Sequence, residues 1–210
     1  MHDQSILKIL EGFKNFRKKY FRQQNLFQDL KTGQSPQNLV ITCSDSRVDP
    51  SILFESNPGD IFVVRNVANL VPPYETGGGF HGVSAAIEFA VQNIEVKNII
   101  ILGHRQCGGI RNLMDSHNTL ENSFVTQWMK VAQKAKANVL KKYPHEDFEN
   151  QCRHCELEAI KNSIENLRSF PFIQQKEAQK KITIVGLYFD LEIGYLYLLS
   201  PESADFERIV

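Results

Sequence analysis

The amino-acid sequence predicts an α/β fold in which helices flank a mostly parallel central sheet. Short apolar runs of strand length, such as 38–42 and 98–102, alternate with longer segments of helical periodicity. Two of these runs end directly in polar segments that contain cysteine, at 43–47 and 103–109. Since the carboxyl ends of parallel strands meet at one edge of a sheet, where ligands usually bind, we expect a site at that edge.

Each predicted element follows from the pattern of its residues. A helix is predicted over 4–31, because its apolar residues recur at helical spacing with basic residues between them, and Gly33-Gln34-Ser35-Pro36 ends it. Strands are predicted over 38–42, 60–64, 98–102, 181–187 and 195–199, and helices over 80–93, from about 110, and through most of 120–170. The chain 1–210 is therefore predicted to be one domain, with an N-terminal helical arm (1–31) and an α/β core (32–210). The arm must dock either on its own sheet or on a second subunit.

The composition is that of an ordinary globular protein and disfavours strongly charged partners. Of the 210 residues, 42% are hydrophobic and 23% are charged, and the formal net charge is zero. Neither a nucleic acid nor an anionic membrane surface is expected as a partner. No run of about 18 apolar residues predicts a membrane span, and the first residues lack the pattern of a signal peptide. We therefore expect a cytoplasmic protein with reduced thiols.

Three residues at the ends of the predicted strands form a candidate metal site. Cys43 follows one strand, and His104 and Cys107 follow another with H-x-x-C spacing. Two thiolates and an imidazole are a ligand set that zinc prefers, and three protein ligands leave a fourth position open, as in catalytic zinc sites. Each motif alone is weak, and a single buried cysteine is usually a small apolar residue. Their joint placement at one sheet edge is the stronger signal.

An acidic residue and a basic residue follow the first predicted ligand. Asp45 lies two residues after Cys43, near enough to reach the metal or its bound water, and Arg47 lies two residues further. An arginine beside a carboxylate favours the ionised form and holds it by paired hydrogen bonds. A salt bridge that only fixes the loop is the alternative interpretation of this pair.

With these motifs, the chain resembles the β-class carbonic anhydrases. The resemblance rests on C-S-D-S-R at 43–47 and on G-H-x-x-C-G-G at 103–109, which follows some sixty residues later. It extends over residues 30–190 through four further segments, at 33–36, 58–60, 64–69 and 152–156. It implies reversible hydration of CO2 to bicarbonate and a proton, by attack of a zinc-bound hydroxide on CO2. By the family pattern, one Zn²⁺ per chain is held by Cys43, His104 and Cys107.

The resemblance also implies roles for the acid and base. Asp45 would orient the hydroxide, and Arg47, by competing for Asp45, would keep it off the metal. Val40 stands where one family variant carries a tryptophan of an inhibitory bicarbonate pocket. We therefore expect the open, plant-type variant, in which Asp45 does not bind zinc near neutral pH.

The substrate pocket and the assembly are further implications of the resemblance. Gln34 is expected to hydrogen-bond the substrate, and the Gly108 N–H to contact it at the start of a helix. Phe62, Val67 and Phe89 match apolar positions suited to CO2, although core packing is the usual role of any one such residue. Gln34 and the phenylalanines come partly from a partner subunit, so a homodimer or homotetramer is expected, with the N-terminal arm packed on the partner.

The same residues also admit two other functions, and several further residues have chemistry of their own. A metal-free redox or sulfur-transfer enzyme would use Cys43 or Cys107 as its nucleophile. A zinc or bicarbonate sensor would bind the metal without turnover. Cys152 and Cys155 form half a zinc-knuckle motif without a second half, which favours a solvated helix start or free thiols. His81 and His117 are candidate proton shuttles, for which a surface or packing role is the more frequent one.

Overall fold

The computed structural model describes residues 3–23, 26–77, 79–115 and 123–209. Its centre is a six-stranded sheet, and its strands lie in the order β2-β1-β3-β4-β5-β6. The strands are β1 (Asn38–Cys43), β2 (Ile61–Asn66), β3 (Asn98–His104), β4 (Thr183–Asp190), β5 (Tyr195–Leu199) and β6 (Phe206–Arg208). The pairs β1–β2, β1–β3 and β3–β4 are parallel, and β4–β5 and β5–β6 are antiparallel. The mostly parallel sheet that the sequence predicts is thus confirmed, with an antiparallel extension on one side.

Eight helices surround this sheet in the described part of the chain. They are α1 (Gln4–Phe16), α2 (Pro50–Leu53), α3 (Gly82–Glu88), α4 (Gly108–Met114), α5 (Phe124–Met129), α6 (Gln133–Lys142), α7 (Phe148–Leu167) and α8 (Pro171–Ala178). Short π-helical segments, which are wound more widely than an α-helix, continue α1 to Gln23 and α3 to Ile94. N-terminal caps explain several helix starts, because the side chains of Asp3, Asp49, Ser123 and Asp147 accept hydrogen bonds from backbone N–H groups.

Alternate residues of the central strands pack on opposite faces of the sheet. Leu39 and Ile41 of β1 belong to a core shared with α3, α7 and α8, whereas Val40 faces a smaller cluster. This alternation follows from the two-residue repeat of a strand. Because β1 is buried from Leu39 to Cys43, its sequence is almost continuously apolar, as expected of a central parallel strand. The central strands are therefore rigid supports for whatever follows their carboxyl ends.

The structure differs from the sequence predictions at the ends of the chain. The predicted helix over 4–31 ends at Gln23 in the described residues, and a short 3-10 turn occupies Asp29–Thr32. Strand β6 was not predicted, because three residues are too few to show a period. Helix α1 buries none of its residues within the chain and exposes Ile9 and Phe13 by 71% and 62%. Its docking on a partner subunit stays a prediction.

No helix in the described ranges is both long and apolar enough to cross a membrane. The candidate shuttle His117 lies outside the described residues.

Candidate metal centre and active site

The structure brings the three predicted metal ligands together. Cys43 is the last residue of β1, and His104 is the last residue of β3. Cys107 is the residue directly before the first residue of α4. One ligand atom from each residue lies within 4.8 Å of the other two, and the two Sγ atoms are 4.0 Å apart. All three residues are buried, with exposures of 5%, 1% and 1%. Adjacent strands β1 and β3 end side by side, which explains why residues sixty positions apart meet.

The histidine of this group presents a free nitrogen to the two sulfurs. His104 Nδ1 lies 2.8 Å from the carbonyl oxygen of Arg105. Because a carbonyl only accepts hydrogen bonds, Nδ1 carries the proton and Nε2 keeps its lone pair. Among the described residues, Nε2 is buried and has no hydrogen-bond partner. A buried nitrogen without a partner is costly unless it binds something, and beside two thiols zinc fits it.

The two thiols are electrostatically coupled. Their hydrogen bond lowers the pKa of Cys43 and raises the pKa of Cys107, and burial raises the pKa of both. Physically, the first proton leaves the pair readily and the second is retained, because two thiolates 4.0 Å apart repel each other. A divalent cation removes this repulsion, and such a pair therefore favours a metal over a free dithiolate.

The predicted acid and base form a bidentate ion pair beside the ligands. Asp45 Oδ2 accepts a hydrogen bond from Arg47 Nη2 at 2.7 Å, and Oδ1 accepts from Arg47 Nε and from the Arg47 backbone N–H, each at 2.9 Å. These bonds hold the pKa of the Asp45 carboxyl well below its usual range. Asp45 is not part of the group of ligand atoms, because both carboxylate oxygens are turned to Arg47.

Two residues that the sequence analysis missed hold this ion pair in place. Arg65, on β2, donates to the carbonyl oxygens of Cys43 and Asp45 at 2.9 and 2.7 Å and pairs with Asp49 at 3.1 Å. The backbone carbonyl oxygen of Gln106 accepts a hydrogen bond from Arg47 Nη2 at 3.0 Å. Arg65 lay in the 64–69 segment of the family resemblance, where no function was assigned to it. Gln106 lay in the 103–109 segment, but its role depends on a left-handed backbone, with φ 57°, which the sequence does not indicate.

A buried acid on α7 also contacts the site. Glu156 Oε1 accepts from the Cys107 N–H at 2.9 Å, and Oε2 accepts from the Tyr188 hydroxyl at 2.8 Å. Burial raises the pKa of Glu156 to about 7. The sequence signal for Glu156 was its place in the 152–156 segment, where no function had been assigned to it.

The predicted substrate-pocket residues divide into two groups. Val67 and Gly108 lie beside the ligands. Gly108 follows Cys107 directly as the first residue of α4. Val67 packs against the next residue, Gly109, so closely that a Cβ added there would lie 2.7 Å from Val67 Cγ1. Phe62 and Phe89 contact each other, with ring centroids 6.0 Å apart. Phe62 is the second residue of β2, roughly 13 Å along the strand from the end that pairs with Cys43.

Gln34 is also distant from the ligands of its own chain. It precedes β1, whose first residue lies about 16 Å from Cys43 at the rise of a strand. The carbonyl of Gln37 accepts from the N–H groups of Lys97 and Asn98, which places this segment at the opposite edge of the sheet. Within one chain, therefore, Gln34, Phe62 and Phe89 are not assembled with the metal ligands.

The remaining cysteines and His81 lie outside this group. Cys152 and Cys155 are free thiols on α7, and they are buried rather than solvated. Burial raises their pKa values to about 11 and about 12, which makes them poor ligands and poor nucleophiles. His81 precedes α3 and its Nε2 lies 3.1 Å from the carbonyl of Gly77.

The fold and the site together define an α/β protein with a candidate Cys-His-Cys metal site at the carboxyl ends of its parallel strands. Residues 38–196 match the sequence profile of the carbonic anhydrase family. The chain is 41% identical over 182 residues to β carbonic anhydrase 5, chloroplastic, of Arabidopsis thaliana, covering 86% of this chain and 60% of the relative. It is 35% identical to β carbonic anhydrase 3 of the same plant, covering 90% and 75%. The chain thus spans less than two thirds of the first relative.

Solved structures agree with the sequence comparisons. The β-carbonic anhydrase CcaA superposes with a TM-score of 0.88 at 31% identity, covering 99% of this chain and 93% of that one. A tetrameric β-carbonic anhydrase of Sordaria macrospora superposes with a TM-score of 0.83 at 26% identity, covering 94% and 98%. The chain belongs to the carbonic anhydrase family, in its β class.

Proposed function

We propose that this chain catalyses the reversible hydration of CO2 to bicarbonate and a proton, with one zinc ion per chain. The observation that carries the proposal is the buried Cys43–His104–Cys107 group with the Asp45–Arg47 ion pair beside it. Membership of the β-class family supports the reaction. The chain covers 60% of the first relative, so the activity as a whole is part of this proposal.

Cys43, His104 and Cys107 would hold the metal and leave one position open to solvent. When bound there, zinc would lower the pKa of water so that hydroxide is available as the nucleophile, a chemistry for which carbonic anhydrases are the usual example. The two thiolates would cancel the charge of the ion, so water bound there would be polarised less than at a site of three neutral imidazoles. The chain must therefore assist through its other residues.

Asp45 is the residue that would give that assistance. Its carboxylate would accept a hydrogen bond from the attacking hydroxide and so direct the oxygen lone pair at CO2. Arg47 occupies both carboxylate oxygens and prevents Asp45 from taking the open position. The pair thus orients the nucleophile and keeps the site open.

The substrate pocket is proposed to be completed by a second subunit. Val67 and Gly108 lie beside the ligands of the same chain, whereas Gln34, Phe62 and Phe89 lie apart from them. An apolar slot suits CO2, which has no net dipole. The tetrameric relative from Sordaria macrospora supports a homodimer or homotetramer for this chain. A cytoplasmic location stays a prediction.

The test is stopped-flow CO2 hydration at several pH values on protein of known zinc content. We expect one zinc per chain and activity that rises with pH. Zinc without activity at any pH would favour a sensor, and the absence of zinc would favour thiol chemistry at Cys43 or Cys107.

A further inference from the structure

One buried charged group is unexplained by the proposed reaction. Glu156 is 4% exposed and lies in the middle of α7, where a carboxyl group is costly unless its oxygens are paired. Both oxygens are paired, and one of the partners is the backbone N–H of Cys107, a predicted metal ligand. The other partner is the hydroxyl of Tyr188.

The Cys107 N–H needs a partner from outside its own helix. Cys107 is the N-cap of α4, and its side chain makes no capping bond. The N–H groups at a helix start have no acceptor within the helix. The residue before it, Gln106, has a left-handed backbone with φ 57°, which is unfavourable for a residue other than glycine. Local preference therefore does not hold the Cys107 peptide in this orientation.

Glu156 connects that peptide to the rigid part of the molecule. Tyr188 is 1% exposed and belongs to β4, where it pairs with Gly103, the residue before His104. The carboxylate thus joins α7, the start of α4 and the strand beside His104. A rotation of the Cys107 peptide would move Sγ away from Cys43 and would break the bond to Glu156.

We propose that Glu156 is a positioning residue for the metal site, which fixes the Cys107 peptide so that Sγ faces Cys43 and His104. This inference rests on the proposed function only in taking these three residues as zinc ligands. Outer partners of metal ligands usually change metal affinity about 10–100-fold when they are removed. Glu156 acts through Cys107 and has no contact with substrate in this role.

The test compares two substitutions of nearly equal size at Glu156 in the full chain. Glu156→Met removes the acceptor, whereas Glu156→Gln keeps an oxygen that can accept from the Cys107 N–H. Glu158→Gln, two residues later on α7, is the matched control, because Glu158 contacts Asn138 and not the site. The zinc dissociation constant is measured by competition with a chromophoric chelator, and folding of the metal-free proteins by circular dichroism.

We expect Glu156→Met to bind zinc about 10–100-fold more weakly than the wild type, and Glu156→Gln and Glu158→Gln to bind within about threefold. A folded Glu156→Met protein with wild-type zinc affinity would overturn the inference. Should Glu156→Met fail to fold, Tyr188→Phe decides: a weakening of several-fold supports the inference, and unchanged affinity overturns it.

Failure of the proposed function can be distinguished from failure of the inference about Glu156. A wild-type chain that binds zinc but hydrates no CO2 would overturn the proposed reaction and leave the comparison at Glu156 valid. A wild-type chain that binds no zinc would overturn both.

Discussion

The candidate metal ligands and the residues predicted to line the substrate pocket differ in how far one chain buries them. The three ligands Cys43, His104 and Cys107 are at most 5% exposed and are complete within one chain. By contrast, Val67 and Phe89 are 37% and 47% exposed. One chain therefore encloses the candidate ligands but leaves apolar residues of the predicted pocket exposed to water.

Physical requirements explain this division. Metal ligands must be held to within a fraction of an ångström, which neighbouring strand ends and buried hydrogen bonds provide. An apolar wall needs only to be covered, and burying it contributes about 25 cal/mol per Å² in any assembly that covers it. A second subunit can therefore complete the wall, whereas it could not easily supply the ligand geometry.

The largest effect is expected from removing a ligand. Cys43→Ser should lose zinc and all CO2 hydration, because a neutral hydroxyl is a poor ligand for zinc where a thiolate was present. Zinc content and stopped-flow activity measure this. Cys152→Ser, which changes a buried free thiol outside the group, should keep one zinc per chain. Equal zinc content in both variants would contradict the assignment of the ligands.

Removing the charge of Asp45 is expected to have the next largest effect. Asp45→Asn should keep zinc but lower kcat about 100-fold, because the amide cannot orient the nucleophile as the carboxylate does. Activity within about threefold of the wild type would instead favour a loop-fixing salt bridge.

The pH dependence of this ion pair has a definite sign. Because Arg47 lowers the pKa of Asp45, the pair contributes stability above the ordinary carboxyl pKa and loses that contribution only as pH falls through the lowered value. The Asp45 carboxyl should therefore stay ionised throughout the neutral range. Carbon NMR titration of the aspartate carboxyls measures this, and a titration near neutrality would contradict it.

A smaller effect tests whether the pocket is shared between subunits. Gln34→Ala should lower activity about tenfold, the loss expected for one hydrogen bond of about 1.4 kcal/mol. If Gln34 acts across an interface, a hybrid with a Cys43→Ser subunit should regain wild-type activity per zinc, because the zinc-free subunit supplies the missing glutamine. A hybrid as slow as Gln34→Ala itself would show that the pocket is complete within one chain.

The smallest effect is expected from removing a hydrogen bond to the backbone of Val67. Trp128 Nε1 donates to the Val67 carbonyl oxygen at 2.8 Å. Trp128→Phe should lower the free energy of unfolding by about 1 kcal/mol and leave activity within about twofold. Urea denaturation and stopped-flow assays measure the two quantities. A large loss of activity would show that the backbone at Val67 must be held more tightly than we infer.

Much of this arrangement could be predicted from the sequence. The apolar runs of β1 and β3 predicted buried parallel strands. The residues after them predicted the candidate metal site, since the carboxyl ends of neighbouring parallel strands lie close together. Strand β6 and the end of the α1 helix could not be predicted, because they are short or depend on contacts with the rest of the fold. Arg65, Gln106 and Glu156 were missed for a related reason: each acts through backbone groups, which the sequence does not display.

The sequence by itself determined the class of fold, the candidate ligands and the proximity of Asp45 and Arg47, because the residue type and the strand-end position are enough to indicate them. Only the tertiary structure decided how the ligand loops are held. It turned both oxygens of Asp45 towards Arg47, gave His104 a free Nε2, and placed the Glu156 carboxylate on the Cys107 peptide. The direction of each of these hydrogen bonds exists only once the backbone around it is folded, and the bond from the Cys107 N–H to Glu156 also joins residues that are far apart in the sequence.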